Sequence, residues 1–155
     1  MSDYNFVTDR LAIGDVASRS TPGFVAVVSL LATAPWDEQY GAPAVPDGVP
    51  VHMIDLRDGE KGLETHLDGA VAFIAEHITK GCVLVHCGAG LSRSVSVVAA
   101  YLCRYAGMSL SEAVNYIKDK RQGACPAEVF WAAITQWLHL DVLGQGGPRK
   151  GSGDE

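Results

Sequence analysis

The stretch VLVHCGAGLSRS, residues 83–94, combines a predicted buried strand with a cysteine, a glycine-rich loop and an arginine. Its first residues, 83–86, are almost continuously apolar, which is typical of a strand buried in a parallel sheet. Helical patterning resumes at Ser92, so the intervening residues form a tight loop in which small side chains and glycines free the backbone. We expect this loop to bind a tetrahedral oxyanion through the inward-facing main-chain N–H groups of Gly88, Ala89, Gly90, Leu91 and Ser92.

Three side chains at the ends of this loop have the chemistry of a phosphate-cleaving site. The N-terminal end of the following helix is positive, and the planar guanidinium of Arg93 can hold two oxygens of the same anion. Thiols near helix N-termini and cations ionise readily, so we expect Cys87 to be a thiolate and a nucleophile aimed at phosphorus. Ser94 is predicted to donate a hydrogen bond to that sulfur and help it to leave. His86 points to the opposite face of the strand and is expected to orient the loop through hydrogen bonds.

Cleavage of a phosphoester also requires a proton for the leaving oxygen, and a carboxylic acid usually supplies it. The candidates follow the predicted strand VPVHMIDL: Asp55, Asp58 and Glu60. Asp58 precedes Gly59 at a turn that can carry its side chain over the pocket, so we favour Asp58 as the general acid. Asp55 lies in the strand itself and remains the alternative.

The rest of the chain alternates strands with helices, which predicts an α/β domain with a mostly parallel central sheet flanked by helices. Strands are predicted within residues 10–17, 23–31, 49–56 and 82–87. Helices are predicted over residues 63–80, 92–106, 109–121 and from Pro126 onward, and Ser109 with Glu112 forms the capping box of the third. We assign residues 1–143 to the catalytic domain and expect the Gly-rich tail 144–155 to be disordered.

The segment 32–49 carries three prolines, a composition that predicts a long loop. Trp36 and Tyr40 lie in it. We expect both aromatic side chains to fold back onto the edge of the core, and the alternative is a contact with the substrate.

Composition restricts the class of protein. A chain of 155 residues is long enough for one domain, and its net charge of −6 argues against a broad grip on nucleic acid or an anionic membrane. The N-terminus is not of the secretory type, and no apolar run approaches the roughly 20 residues of a membrane span. We therefore expect a cytoplasmic monomer.

The four cysteines show no CxxC pair, which gives no indication of a zinc site. We expect free thiols rather than disulfides. Cys82 and Cys103 are expected to be buried small hydrophobes, and one of Cys82, Cys103 and Cys125 could alternatively capture an oxidised Cys87 as a reversible disulfide.

His86-Cys87-x5-Arg93-Ser94 resembles the signature of the dual-specificity branch of the cysteine-dependent protein phosphatases. The resemblance extends over roughly residues 6 to 140 and includes the segments LAIGD as the first strand, AVAFI in the preceding helix, and AAYLCRYAGMSLSEAVNYIKDKR. It implies the small cysteine-phosphatase α/β fold, no metal and no cofactor. It also implies that Cys87 attacks phosphorus, that Arg93 binds the phosphate and stabilises the transition state, and that Asp58 acts first as acid and then as base. The implied substrate is a protein carrying phosphotyrosine or phosphoserine/phosphothreonine.

The sequence departs from the family near Pro126, where CPAEVF replaces an expected asparagine and glycine before an aromatic residue. No lysine or histidine lies between Cys87 and Arg93, so we rank phosphoprotein above phosphoinositide, nucleic-acid 5′-phosphate and phosphorylated glucan. A phosphate-binding module without turnover, a sulfurtransferase and an arsenate reductase remain as alternatives.

Overall fold

The computed structural model describes residues 3–32 and 41–142, with side chains described as far as residue 140. The strands are β1 (Tyr4–Phe6), β2 (Leu11–Gly14), β3 (Ala26–Leu31), β4 (Val51–Asp55) and β5 (Val83–His86). The helices are α1 (Glu64–Ile78), α2 (Arg93–Tyr105), α3 (Leu110–Lys120) and α4 (Glu128–Val142), with a short 3-10 helix at Val16–Ser20.

The five strands form one sheet in the order β1-β2-β5-β3-β4. The pairs β2·β5, β5·β3 and β3·β4 are parallel, and only the edge pair β1·β2 is antiparallel among the described strands. The predicted α/β class and mostly parallel sheet are confirmed. Because β5 lies between β2 and β3, the loop that follows it opens at the carboxyl edge of the sheet, where ligands commonly bind in such folds.

One strand assignment is wrong. The segment LAIGD forms the second strand, because Tyr4–Phe6 precedes it as β1. A strand of three residues is too short to show the period-two alternation by which strands are recognised. This strand covers the outer edge of β2 and brings Asp3 and Asn5 close to the C-terminal end of α3.

The two faces of the sheet differ, as the alternation of side chains along β5 requires. Val83 and Val85 belong to the large core shared with the helices, whereas Leu84 packs on the other face with Ala12 and Val27. Helix α2 lies inside the large core with ten of its residues buried. That burial fixes the position of its first turn, which carries Arg93 and Ser94.

Helix α3 begins as predicted. The Ser109 hydroxyl accepts a hydrogen bond from the Glu112 N–H, and the Glu112 carboxylate accepts one from the Ser109 N–H. This reciprocal cap satisfies two N–H groups that a helix start otherwise leaves without partners. The helix then ends at Arg121, behind the loop that follows β5.

Two predictions lie outside the described residues: the contacts of Trp36 and Tyr40, and the disorder of the tail 144–155. Within the described ranges, no helix combines the length and the apolar character that crossing a bilayer requires.

Candidate active site at the end of the central strand

Cys87 follows β5 directly, and its side chain is 2% exposed. Its Sγ lies 3.2 Å from the Oγ of Ser94, which is fully buried in the first turn of α2. The strand fixes one residue and the helix fixes the other, so the distance between the two atoms depends on both elements of the core. A hydroxyl at this distance can donate a hydrogen bond to an anionic sulfur.

The loop between them, residues 87–92, turns its carbonyl groups away from the pocket. All six carbonyl oxygens accept hydrogen bonds. For residues 87 to 92 in order, the donors are His86 Nδ1, the Val16 N–H, Arg121 Nη2, Arg121 Nε, the Cys125 N–H and the Ser96 N–H. The C=O and N–H of a trans peptide point in opposite directions. The N–H groups of residues 88–93 are therefore directed toward the pocket, where they can surround a tetrahedral anion.

No residue with a side chain could replace Gly90 in this backbone conformation. Its φ is +74°, in the left-handed region that side chains disfavour. A Cβ at this position would also lie 2.6 Å from the Gly14 carbonyl carbon and 2.8 Å from Arg121 Nη2. The glycine therefore allows both the turn and the close approach of the loop to β2.

Arg93 is the first residue of α2 and is 4% exposed. Its Nη1 donates a hydrogen bond of 3.0 Å to the Leu56 carbonyl, just after β4. We refer to residues 87–93 as the anion-binding loop, after the role predicted for them. The Arg93 guanidinium therefore joins this loop to the segment that carries the candidate acids.

Of the three candidate acids, Asp58 lines the same pocket as Cys87. Asp55 is the exposed last residue of β4, and the Glu60 carboxylate accepts a hydrogen bond of 2.8 Å from the Arg57 N–H. The pocket measures about 400 Å³. Its lining consists of Asp58, Cys87, Ala89, Leu91, Ser92, Arg93, Gly123 and Cys125.

His86 faces away from Cys87 Sγ and supports the loop from behind. Its Nδ1 donates to the Cys87 carbonyl at 3.1 Å, which leaves Nε2 as the unprotonated nitrogen. The pKa of His86 is lowered to about 4, mainly by burial and to a smaller extent by the cations Arg19 and Arg93. The imidazole is therefore neutral at pH 7.

The connection between α3 and α4, which sequence reasoning missed, forms one wall of the site. The Cys125 N–H donates to the Leu91 carbonyl at 2.7 Å, and the Ala127 N–H donates to the Ser92 hydroxyl at 3.0 Å. Here main-chain groups hold the loop where the family pattern predicted an asparagine side chain. Backbone donors carry no sequence signature, so the sequence contains no direct signal for them.

All four cysteines are free thiols, as predicted. Cys82 lies five residues before Cys87, about 16 Å along a strand, and Cys103 lies ten residues into α2, about 15 Å from its start. Burial raises the pKa of the Cys103 thiol to about 11. Cys125, in contrast, is exposed and lies in the same pocket as Cys87. Among the described residues no cluster of three or more His, Cys, Asp or Glu side chains is placed to hold a metal ion.

Comparison with known proteins agrees with this geometry. The model of the dual specificity phosphatase catalytic domain matches residues 17–139. Dual specificity protein phosphatase 1B of Arabidopsis thaliana is 32% identical over 140 residues, which cover 87% of this chain and 81% of that protein. The crystal structure of human DUSP28 superimposes with a TM-score of 0.77 at 25% identity, covering 90% of this chain and 95% of that one. A human tyrosine phosphatase-like serine/threonine/tyrosine-interacting protein shares the fold, with a TM-score of 0.81 at 19% identity over 90% of this chain and 97% of that chain.

The chain belongs to the dual specificity phosphatase family, as the sequence signature predicted. It is a protein phosphatase, a hydrolase of phosphoric monoesters on phosphorylated proteins.

Proposed function

We propose that this chain hydrolyses phosphoprotein monoesters through a phosphocysteine intermediate on Cys87. One observation carries the proposal. The Cys87 sulfur lies 3.2 Å from a buried hydroxyl, at the base of a loop whose carbonyls all turn outward. A dianionic phosphoryl group bound by the N–H groups of residues 88–93 and by Arg93 would place its phosphorus against this sulfur.

In the first step the Cys87 thiolate attacks phosphorus, and the bond from phosphorus to the ester oxygen breaks. Asp58 donates its proton to the departing oxygen, which leaves as the free hydroxyl of the dephosphorylated residue. Arg93 and the loop N–H groups stabilise the charge that spreads over the three remaining phosphoryl oxygens. The support for Asp58 over Asp55 is its position on the pocket wall.

In the second step a water molecule attacks phosphorus, and the phosphorus–sulfur bond breaks. Asp58, now a carboxylate, takes the proton of the water. Ser94 donates a hydrogen bond to the sulfur that leaves as a thiolate, and inorganic phosphate is released.

The proposed substrates are proteins with phosphotyrosine and with phosphoserine or phosphothreonine. Ala89, which lines the pocket, is exposed, and the loop contains no cationic side chain between Cys87 and Arg93. These features favour a phosphoprotein over a polyphosphorylated lipid, an RNA 5′-phosphate or a glucan phosphate. We further propose that the protein acts as a monomer in the cytoplasm, where the four free thiols fit a reducing environment.

The decisive experiment measures hydrolysis of p-nitrophenyl phosphate, with a chelator present, by the wild type and by Cys87→Ser. We expect the variant to lose turnover below detection while it still binds tungstate, because the loop N–H groups and Arg93 remain. Cys125→Ser is the matched control, since it removes a thiol from the same pocket and should retain activity. A folded wild type that binds tungstate without turnover would instead identify a phosphate-binding module.

The general acid is tested by comparing Asp58→Asn with Asp55→Asn on leaving groups of different basicity. We expect Asp58→Asn to slow an alkyl or phenyl phosphate by about 10²-fold or more, and a nitrophenyl phosphate far less, because a good leaving group needs no proton. Asp55→Asn should leave both rates close to the wild type. The reverse result would assign the acid to Asp55, and equal losses on both substrates would exclude proton donation by the residue changed.

Substrate choice is tested with a panel of peptides that differ only in the phosphorylated residue. Turnover of phosphotyrosine and phosphothreonine peptides within the same order of magnitude supports dual specificity. Hydrolysis of inositol phospholipids, 5′-phosphorylated RNA or glucan phosphate in preference to every peptide would overturn the choice of substrate.

A further inference from the structure

Arg121 is a buried cation at the end of α3, and the mechanism above does not use it. Its side chain is 2% exposed and lies behind the anion-binding loop. Its Nε donates to the Gly90 carbonyl at 2.7 Å, and its Nη2 donates to the Ala89 carbonyl at 3.1 Å. One guanidinium therefore holds two consecutive peptide groups of the loop.

The other edge of the same guanidinium is fixed by the N-terminal strand. Nη1 donates to the Asn5 side-chain oxygen at 2.8 Å, and Nη2 lies 3.3 Å from the carboxylate of Asp3. Arg121 thus connects β1, on the edge of the sheet, to the loop that follows the central strand. A rigid fork with five N–H groups can make these contacts together, whereas the single ammonium of a lysine cannot.

These hydrogen bonds, made behind the loop, also affect the N–H groups on the side of the loop that faces the pocket. The peptide that presents the Ala89 carbonyl to Arg121 presents the Gly90 N–H in the opposite direction, and the next peptide does the same for the Leu91 N–H. A hydrogen bond from a cation to a carbonyl polarises the peptide, so its N–H becomes a stronger donor. The fixed charge behind the loop also favours an anion in front of it, since the interior screens charges weakly.

We propose that Arg121 is a positioning residue for phosphate binding, which orients and polarises the Gly90 and Leu91 N–H groups from behind without touching the substrate. This inference rests on the proposed role of the loop as the phosphate site. It assigns to the back of the site a second arginine with a role distinct from that of Arg93, which contacts the phosphoryl group itself.

The test compares Arg121→Met and Arg121→Lys with a matched control, Arg104→Met. Arg104 is also a largely buried arginine on a neighbouring helix, where it pairs with Asp68 at 3.2 Å and lies 3.9 Å over the ring of Trp137. Its loss removes a comparable structural contact far from the loop. Each protein is examined for its tungstate dissociation constant, its kcat and KM on an aryl phosphate, the titration of Cys87 by ultraviolet absorbance, and its unfolding by urea.

We expect Arg121→Met to weaken tungstate binding by about ten-fold or more, because two charge-assisted hydrogen bonds to the loop are lost. Arg121→Lys should lie between this variant and the wild type. In both variants the Cys87 thiol should ionise at a higher pH than in the wild type. Arg104→Met should lose stability while it keeps the tungstate affinity and the titration of the wild type.

The inference is overturned if folded Arg121→Met binds tungstate as tightly as Arg104→Met does. Should Arg121→Met fail to fold, Asn5→Ala provides the test, since Asn5 is exposed and supplies one anchor of the guanidinium. We expect it to weaken tungstate binding by about two- to ten-fold, and unchanged affinity would contradict the inference. A wild type that binds tungstate without turnover would count against the proposed catalysis alone, because the affinity series still reports on Arg121.

Discussion

The front and the back of the anion-binding loop are built in different ways. The front, which faces the pocket, consists of residues that are neighbours in the chain, from Cys87 to Ser94. The back is held by groups from separate segments: Val16 after β2, His86 at the end of β5, Arg121 after α3, and Cys125 and Ala127 before α4. The chemistry is thus encoded locally, whereas the geometry that makes it productive depends on the whole fold.

This contrast gives different expectations for substitutions on the two sides. A change at the front should alter the chemical steps with little effect on the loop itself. A change at the back should act through the position of the loop, or through the stability of the buried polar groups that hold it. Three substitutions test the contrast.

The largest effect is expected at the front, for Arg93→Lys. The arginine directs Nη1 to the Leu56 carbonyl and, in the proposed mechanism, binds the phosphate through the rest of its guanidinium. A lysine cannot do both. We expect kcat/KM on an aryl phosphate to fall by about 10²- to 10³-fold, the cost of losing a preorganised donor to the transition state.

Steady-state kinetics measure this effect, with Arg104→Lys as the control for loss of a buried guanidinium elsewhere. A loss below about ten-fold would mean that the loop N–H groups bind the transition state largely without Arg93.

The residues of the front could be proposed from the sequence alone for a physical reason. The apolar run of β5, the small residues of the loop and the buried pattern of α2 are consecutive, so their periodicity and their chemistry are read together. Asp58 is favoured as the acid because a strand end and a turn glycine adjoin it in the chain, and it lines the pocket, but its catalytic role stays a prediction.

The back could not be predicted in the same way. Arg121 follows Lys118 and Lys120, and basic residues at a helix C-terminus are ordinarily solvated groups that interact with the helix dipole. Nothing in this local pattern shows that the last cation of the run is buried. Its burial depends on β1, a three-residue strand, and on a sheet order that brings residues 3 and 121 together.

The second largest effect is expected at the back of the loop, where His86 makes the stability of the protein depend on pH. The pKa of His86 is about 4 in the folded protein, lowered mainly by burial, and about 6.5 in an unfolded chain. Between these values the unfolded state binds more protons, so stability rises with pH. As far as His86 is concerned, the free energy of unfolding has its full value above about pH 6.5. It decreases by up to roughly 3 kcal/mol as the pH falls toward 4.

His86→Asn tests this assignment, since its side-chain amide can still donate to the Cys87 carbonyl but does not titrate. Between pH 7 and pH 4 the free energy of unfolding should fall by roughly 3 kcal/mol more in the wild type than in the variant, as measured by urea unfolding at stepped pH. His139→Asn, a substitution of an exposed histidine on α4, should leave the wild-type slope unchanged. Parallel curves for the wild type and His86→Asn would show that His86 is not held neutral by the fold.

The smallest effect is expected at the front, for Ser94→Ala. The hydroxyl lies 3.2 Å from the Cys87 sulfur and is fully buried, so in the proposed mechanism its hydrogen bond stabilises the thiolate that leaves in the second step. Loss of one hydrogen bond to a charged group corresponds to about a ten-fold slower hydrolysis of the phosphocysteine intermediate. The first step should change less, since there the sulfur gives up its charge to phosphorus and the hydrogen bond assists the reverse direction.

Rapid mixing with p-nitrophenyl phosphate separates the two steps. For Ser94→Ala we expect a burst of nitrophenol equal to the enzyme concentration, followed by a slower steady rate, and acid quenching should trap phosphate on Cys87. Ser96→Ala is the matched control, because Ser96 is buried two residues further along α2 and its hydroxyl donates to the Ser92 carbonyl rather than to the sulfur. A variant that forms nitrophenol slowly from the first turnover, without a burst, would show that Ser94 acts in the attack of the sulfur on phosphorus. The departure of the sulfur in the second step would then depend on the loop N–H groups alone.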